Sequence, residues 1–328
     1  MYVVTGGAGF IGSILLAALE ERGDGSLVVC DRLRSNDKWR NIAKREISEI
    51  VAPENLFPFL DANRQRIRII FHMGAISSTT ETNADLIIEN NFNLSCKLFA
   101  WCAEHGVRLV YASSAATYGD GSQGFDDDFG ITPLSLLQPL NAYGWSKHLF
   151  DRRLARLVAQ GGVVPPQWVG LKFFNVYGPN EYHKGGQQSV VSHIYPQAES
   201  GAPAHLFRSH NPNYPDGGQM RDFVWVFDVV SVMTWLLDHP EVSGLFNLGS
   251  GKARSFHDLA AAVYRALGKE PFIKFVDTPV AIRDKYQYFT EARMERLRAA
   301  GYDKPFTTLE RGVTDYVTRY LAAPDRYR

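Results

Sequence analysis

Short, continuously apolar runs alternate with longer segments of helical periodicity along the first half of the chain. Strands that are buried on both faces are unbroken apolar runs in sequence, because helices cover both sides of their sheet. The alternation therefore predicts a doubly wound parallel α/β sheet. The predicted strands are Tyr2–Thr5, Leu27–Cys30, residues 68–72, residues 107–112 and Trp168–Phe173, and the first helix is expected at residues 13–22.

This pattern changes at about Asn175. Gly, Pro, Asn and His become frequent as far as Gln219, and the alternation returns only in residues 223–237 and 244–247. We therefore expect a second, smaller α/β domain, made of discontinuous segments, that caps the carboxyl edge of the sheet. The predicted boundaries are 1–173, 224–250 and about 284–294 for the larger domain, and 174–223, 251–283 and 295–328 for the smaller one.

Composition excludes several classes of protein. The 328 residues suffice for roughly two domains. Because the 35 basic and 35 acidic residues balance, we expect no nucleic-acid-binding surface, which needs clustered positive charge. The three cysteines form no Cys-x-x-Cys pair, which favours a reducing compartment, and no side-chain spacing indicates a metal site. Without a signal-peptide pattern or a bilayer-spanning stretch, we expect a soluble, cytoplasmic protein with no membrane partner.

The segment from Gly6 to Gly12, Gly-Gly-Ala-Gly-Phe-Ile-Gly, lies between the first predicted strand and helix. Glycines there permit a tight turn and let backbone N–H groups approach a pyrophosphate at the helix N-terminus, so the segment predicts a dinucleotide-binding loop. Asp31 would bind the adenosine ribose, which favours NAD, whereas Arg32 and Lys38 suit the 2′-phosphate of NADP. We expect NADP and leave NAD open; the alternative for these cations is a solvated basic loop.

Tyr143 and Lys147 have the spacing that places two side chains on one face of a helix. A free tyrosine has a pKa of about 10, so it is a poor base near neutral pH. A neighbouring ammonium and an oxidised nicotinamide would both favour the phenolate and lower that pKa. Ser114 follows a predicted strand and would present its hydroxyl at the same sheet edge.

These residues together resemble the extended short-chain dehydrogenase/reductase superfamily, in its nucleotide-sugar branch. The motifs that carry the resemblance are residues 6–12, 112–119, 174–179, 221–224 and 246–249. The resemblance implies a Rossmann domain that binds NADP and a smaller substrate-binding domain. It also implies that Tyr143 is the acid/base, that Ser114 polarises the reacting oxygen, and that Lys147 binds the nicotinamide ribose.

Further stretches resemble the ADP-L-glycero-D-manno-heptose 6-epimerase family, namely residues 72–81, 89–91, 181–185, 286–290 and 297–306. This likeness implies epimerisation of ADP-D-glycero-D-manno-heptose at C6″ with tightly bound NADP, for the heptose of the lipopolysaccharide core. It also implies a homo-oligomer, with a pentamer suggested by the family. By the same resemblance Lys184 is a second proton-transfer group opposite Tyr143; the alternatives are an ordinary exposed lysine or a phosphate anchor.

The resemblance carries over further site residues one position at a time. The expected cofactor contacts are Gly6, Gly9, Phe10, Ile11, Gly12, Asp31, Arg32, Lys38, Met73, Gly74, Ala75, Ile76, Ser77, Asn90, Lys147 and Val176. The expected substrate contacts are Asn175, Gly186, His193, Phe207, Arg208, Ser209, His210, Arg221 and Tyr286. Arg221 suits the diphosphate as a bidentate donor, or else pairs with Asp222. His193 is alternatively a histidine on a helix face.

Three departures from the family pattern bear on this interpretation. Gly186 stands where the family often has a serine, Lys172 replaces the usual arginine, and residues 207–218 form a longer stretch, richer in Pro, Asn and Gly, than the family pattern.

Three rival functions make different demands on these residues. A 4,6-dehydratase needs acidic groups where this chain has Ala115 and Ala116, or Thr117, so we do not expect dehydration. A UDP-hexose 4-epimerase would keep the Ser–Tyr–Lys set without needing Lys184. The intact set argues against a cofactor-binding regulator without activity.

Overall fold

The computed structural model describes residues 1–34, 36–283 and 287–328. Its strands are β1 (Tyr2–Thr5), β2 (Leu27–Cys30), β3 (Glu49–Val51), β4 (Ile69–His72), β5 (Arg108–Ser114), β6 (Trp168–Phe173), β7 (Asn175–Tyr177), β8 (Ala204–Phe207), β9 (Met220–Trp225), β10 (Gly244–Leu248), β11 (Ala253–Ser255) and β12 (Ile273–Val276). Seven of them form a parallel sheet in the order β3, β2, β1, β4, β5, β6, β10. The predicted doubly wound parallel sheet is thereby confirmed, and its strand order reverses between β1 and β4.

Helices connect these strands. They are α1 (Phe10–Arg22), α2 (Leu56–Asn63), α3 (Ala84–Ile87), α4 (Leu94–His105), α5 (Ile131–Leu136), α6 (Ala142–Ala159), α7 (Val190–Ser200), α8 (Val226–Asp238), α9 (Phe256–Ala266), α10 (Val280–Arg283), α11 (Glu295–Ala299) and α12 (Leu309–Tyr316). The first helix starts at Phe10, three residues before the expected start, because its first backbone hydrogen bond runs from the Ser13 N–H to the Gly9 carbonyl. A π-helical turn, Ile88–Asn93, joins α3 to α4.

Alternating residues of the large sheet supply two apolar cores, one on each face. Val4 and Val29 belong to the core that contains Leu15 of α1. Val3 and Val28 belong to the opposite core, with Leu98 of α4. Burial on both faces explains why these strands are continuously apolar in sequence.

A smaller group of elements surrounds a third core. Strands β7, β9 and β11 form one small sheet, β8 pairs with β12 in another, and α7, α9 and α12 contribute buried side chains to the core. Helix α7 and strand β8 lie in the region where the sequence showed no alternation of strands and helices. Pro196 within α7 is one reason why the sequence pattern did not indicate a helix there. In the segment 295–328, Leu297 packs in the core of the large sheet and Val313 in the third core. The two-domain boundaries stay a prediction.

No helix within the described residues has the length and apolar character needed to cross a membrane.

Candidate active site

A cleft of about 1150 Å³ opens at the carboxyl ends of β1, β4, β5 and β6. Ligands of open α/β sheets bind at this edge, where the strand order reverses. The cleft is larger than the roughly 300–1,000 Å³ of ordinary small-ligand pockets. Of the residues predicted from the sequence, it brings together Gly6, Gly9, Phe10, Ile11, Gly12, Asp31, Lys38, Met73, Gly74, Ala75, Ser77, Ser114, Tyr143, Lys147, Asn175, Val176, Lys184 and Gly186.

Close backbone packing makes glycine necessary in the loop between β1 and α1. Gly6 has φ +67°, and a Cβ there would lie 2.6 Å from the Cα and N atoms of Gly74 in the loop after β4. A Cβ on Gly12 would lie 2.3 Å from the Gly6 carbonyl oxygen. Among the described residues, no side chain caps the N-terminus of α1, and its first turn contains no acidic residue. The first N–H groups of α1 therefore face the cleft as a site for a phosphate.

Asp31 organises this loop as well as facing the cleft. One of its carboxylate oxygens accepts a hydrogen bond from the Ala8 N–H at 3.0 Å, and the other lies 2.5 Å from Lys38 Nζ. Lys38 thus neutralises the carboxylate that would otherwise repel a phosphate. Arg32 points elsewhere, because its guanidinium pairs with Glu54 at 3.1 Å on the surface.

The side chains of Ser114 and Tyr143 both line the cleft. Burial raises the pKa of Tyr143 above its ordinary value, and the hydrogen bond from Ser114 opposes that shift. The sequence predicts a lowered pKa beside an ammonium and an oxidised nicotinamide; in the protein alone, loss of hydration disfavours the phenolate and favours the neutral phenol.

Lys147 lies one helical turn after Tyr143 on α6 and is 3% exposed. Burial lowers the pKa of Lys147 to about 8, and the negative charge of Asp151 opposes this shift. Asp151 is itself buried, accepting hydrogen bonds from the hydroxyls of Tyr111 at 3.1 Å and Ser113 at 2.7 Å. The buried Lys172 ammonium lies 4.0 Å from Asp151, so the unusual lysine at this position still supplies a counter-charge.

Lys184 reaches the cleft from a short 3₁₀ turn, Tyr182–Gln187. Its Nζ lies over the Phe10 ring, 5.3 Å from the centroid, which places the amine beside the start of α1. Burial lowers the pKa of Lys184, and the neighbouring carboxylate of Glu181 opposes the shift. Tyr143 and Lys184 therefore line the same cleft from two separate elements.

Asn91, rather than the predicted Asn90, supports the wall of the cleft. Its side chain accepts a hydrogen bond from the Ile76 N–H and donates to the Ile76 carbonyl, both at 2.9 Å. It also donates to Ser146 Oγ at 3.0 Å, and Ser146 donates to the Tyr143 carbonyl at 2.7 Å. Asn90 is not part of the lining, and its amide donates to the Leu86 carbonyl one turn earlier.

Several residues predicted from the sequence lie outside the lining of the cleft: Arg32, Ile76, Asn90, His193, Phe207, Arg208, Ser209, His210 and Arg221. His193 is exposed on α7, and Arg208 pairs with Asp216 and Asp277. Arg221 lies beside the cleft, with its guanidinium 5.6 Å from the ring centroid of Phe256, which does line it. Asp222 accepts its own hydrogen bonds from the N–H groups of Ser250, Gly251 and Ala292. Tyr286 lies outside the described residues.

Sequence reasoning missed part of the cleft. Gln187 Nε2 donates to Ser78 Oγ at 3.0 Å, so the Lys184 turn and the loop after β4 meet across one wall. The sequence carried no signal for this contact, because the two polar residues are far apart in the chain. The other lining residues that were not predicted include Thr79, Thr80, Gln188, Ser189, Val190, Phe223 and Phe256.

The model of the NAD dependent epimerase/dehydratase family matches residues 2–249. An ADP-L-glycero-D-manno-heptose-6-epimerase from Nitratidesulfovibrio vulgaris is 50% identical over 99% of both chains, and one from Fusobacterium nucleatum is 46% identical over 100% of both.

Solved structures agree with these matches. The crystal structure of the Helicobacter pylori ADP-L-glycero-D-manno-heptose-6-epimerase has a TM-score of 0.79 and 27% identity, covering 98% of this chain and 96% of that one. A Thermus thermophilus UDP-glucose 4-epimerase in complex with NAD has a TM-score of 0.75 and 26% identity, covering 98% and 99%. The dinucleotide loop, the Ser–Tyr–Lys set and these matches lead to one conclusion: the chain belongs to the NAD dependent epimerase/dehydratase family, in the group of the ADP-L-glycero-D-manno-heptose-6-epimerases.

Proposed function

We propose that this protein epimerises ADP-D-glycero-D-manno-heptose at C6″ to ADP-L-glycero-D-manno-heptose, using tightly bound NADP, for lipopolysaccharide core synthesis. The observation that carries the proposal is that Tyr143 and Lys184 line one cleft together with the dinucleotide loop. Inverting an unactivated secondary alcohol requires removing hydride from one face and returning it to the other. Proton transfer is then needed for two orientations of the sugar, and two separate groups can supply it.

The residues of the cleft fit a nicotinamide dinucleotide. The close approach of Gly6 to Gly74 and of Gly12 to Gly6 leaves space for backbone but not for side chains. The uncapped start of α1 supplies N–H donors for a pyrophosphate. When bound, the nicotinamide would supply a hydride acceptor and donor and, in its oxidised form, a positive charge near the phenol.

The pairing of Asp31 with Lys38 supports NADP as the form bound. A bare carboxylate at this position would repel a 2′-phosphate, whereas the 2.5 Å contact with Lys38 Nζ compensates its charge. Arg32 forms an ion pair with Glu54. We therefore assign the contact with the 2′-phosphate first to Lys38. NAD would still find the Asp31 carboxylate within reach of a ribose hydroxyl.

Tyr143 would exchange the proton of the C6″ oxygen in one orientation of the sugar. Ser114, which lines the same cleft, would donate to the same oxygen as its charge changes. Lys147, with a pKa of about 8, carries a positive charge at neutral pH and would stabilise the phenolate once the proton has left.

Lys184 would serve the opposite orientation. The lowered pKa of its amine increases the neutral fraction near pH 7, which a proton acceptor needs. Lys184 lies beside Phe10, on an element other than α6, so its amine would approach the sugar from a different direction than Tyr143.

The test is an NMR assay of the C6″ configuration after incubation of the purified protein with ADP-D-glycero-D-manno-heptose and no added cofactor. Conversion to the L,D-isomer is expected from the wild type, and large losses from Tyr143→Phe and Lys184→Met. Lys97→Met is the control, because that lysine is 63% exposed and pairs only with Glu89 on the surface in the described structure.

No conversion by the wild type, even with NADP supplied, would overturn the substrate assignment and direct the assay to UDP-hexoses. Full activity of Lys184→Met would overturn the two-group mechanism alone. By the same family resemblance we propose a cytoplasmic homo-oligomer, and light scattering would measure its subunit number.

A further inference from the structure

The turn that carries Lys184 is weak by itself. Tyr182–Gln187 is a short 3₁₀ segment with a kink at Gly185, where φ is +55° and ψ is −127°, and the preceding residue, Glu181, makes no side-chain cap. Helices of this kind have poor hydrogen-bond geometry and depend on contacts from outside. The position of the Lys184 amine is therefore determined by whatever holds the turn against the rest of the protein.

Asn41 makes the contact between this turn and the dinucleotide loop. The residue is 1% exposed, and its Nδ2 lies 2.9 Å from the Ala8 carbonyl oxygen, 3.0 Å from the Asn180 carbonyl oxygen and 3.1 Å from His183 Nδ1. Ala8 belongs to the dinucleotide loop, and His183 directly precedes Lys184. One amide group thus touches both the loop that receives the cofactor and the turn that presents the second proton-transfer group.

The orientation of this amide follows from its partners. Carbonyl oxygens only accept hydrogen bonds, so the atom that faces Ala8 and Asn180 must be the amino group. The amino group has two hydrogens for three neighbours, and the role of His183 Nδ1 in this contact depends on the tautomer of its ring. Burial, with the positive charges of Lys38 and Lys184, lowers the pKa of His183 to about 4, in keeping with a neutral ring.

Asn180 completes the junction with a reciprocal contact. It is fully buried and has a left-handed backbone, with φ +71°. Its Nδ2 donates to Ser13 Oγ at 3.0 Å and to the Asn41 carbonyl at 3.4 Å, while its Oδ1 accepts from the Arg328 N–H at 3.0 Å. Asparagine tolerates this backbone conformation better than most residues, and the contacts on both sides keep it there.

We propose that Asn41 is a positioning residue that holds the Lys184 amine at the reacting centre, by fixing the turn Tyr182–Gln187 to the dinucleotide loop. This inference rests on the proposed function of Lys184. Losing the amide would leave the Ala8 and Asn180 carbonyls without this donor and release His183. The amine would then be displaced from the substrate without any change in the chemistry of Tyr143.

The kinetic test uses Asn41→Ala, with His183→Leu as a second variant that removes the imidazole contact while leaving the Asn41 contacts to both carbonyls. A displacement of about 1 Å in a reacting group costs up to about a hundredfold in rate, so we expect kcat to fall about ten- to hundredfold, with KM and cofactor content within about twofold of wild type. Asn63→Ala is the matched control, since its amide also donates to a backbone carbonyl, that of Phe59, but far from the cleft.

The kcat of the double variant, Asn41→Ala with Lys184→Met, should lie less than about twofold below that of Lys184→Met alone, because the amine that Asn41 positions is already absent. The proposal would be overturned if the loss of kcat in the double variant equalled the product of the losses in the two single variants. It would also be overturned if Asn41→Ala raised KM without lowering kcat, or lost its cofactor.

A second measurement does not depend on the substrate. Acetylation of lysines with an amine-reactive ester, followed by mass spectrometry, reports the surroundings of each amine. We expect the rate at Lys184, relative to the exposed Lys97, to change at least about threefold in Asn41→Ala and in His183→Leu. An unchanged relative rate would overturn the positioning role even if the wild type proved inactive on ADP-heptose, so the two proposals can fail separately.

Discussion

Gly6 and Gly23 share one backbone conformation but have different surroundings, and this makes them a matched pair. Both have φ +67°. A Cβ on Gly6 would lie 2.6 Å from Gly74, whereas a Cβ on Gly23 would meet nothing within 4 Å. Alanine at either position carries the same conformational cost, so any difference between the two variants measures the contact between the loops.

The size of that difference can be worked out from the contact. The left-handed conformation costs an L-residue about 1–2 kcal/mol at each position. Carbon atoms pack at about 3.5–4.0 Å, so Gly6→Ala also forces the two cofactor loops apart by about 1 Å. A shift of that size in a binding site costs up to about a hundredfold. We expect Gly6→Ala to lose its retained nicotinamide and about a hundredfold in activity. Gly23→Ala should keep both and lose only about 2–8 °C in Tm.

The measurements are the absorbance of cofactor released on denaturation, per mole of protein, together with the epimerase rate and Tm. If Gly6→Ala retained cofactor as well as Gly23→Ala does, the close approach of these loops would not be what the dinucleotide site requires. Equal Tm shifts with unequal cofactor content would still support the reasoning, because they would separate binding from folding.

Three further predictions follow from single contacts. Lys38→Ala should lower the affinity for NADP about tenfold or more relative to NAD, because the charge of Asp31 would no longer be compensated; equilibrium fluorescence titration with both cofactors measures this. Gly186→Ser should keep activity within about twofold, since a Cβ there meets nothing within 4 Å, and a larger loss in the NMR assay would show that the backbone of this turn needs glycine. His183, with its pKa lowered to about 4, should stay neutral from pH 5 to 8 in an NMR titration of the ring. The stability it contributes is present above pH 6.5 and is lost as the pH falls through about 4, so Tm should fall in that window, and less so in His183→Gln.

Local patterns allowed much of the fold and part of the site to be predicted. The dinucleotide loop and the Tyr143–Lys147 pair are contained in short stretches whose spacing alone determines which atoms meet. The parallel sheet was predictable because burial on both faces leaves unbroken apolar runs. Strand β3, by contrast, is a three-residue edge strand with two exposed residues and gives no such signal.

Contacts between distant segments were not predictable. Asn41 and Asn180 are separated by 139 positions, and nothing in either local sequence indicates that they meet. Which of Asn90 and Asn91 lies beside the cleft depends on the π-helical turn, which the local sequence does not indicate. The cofactor contact of Asn90 stays a prediction. The pKa of Tyr143 was expected to fall because its charged neighbour is visible in sequence, whereas the burial that raises it is a property of the whole fold.

The π-helical turn Ile88–Asn93 also constrains how the gene can vary. It widens the helix where Asn91 reaches Ile76, so the residues before and after it are out of phase with a continuous α-helix. A π-helical turn takes up one residue more than the α-helix around it. Deleting one residue here would therefore give a continuous α-helix that keeps the buried face of α4, with Leu98 and Phe99, in place, while Asn91 would lose the position from which it reaches Ile76. Loss of one codon in this turn would thus alter the wall of the cleft and leave the packing of α4 intact.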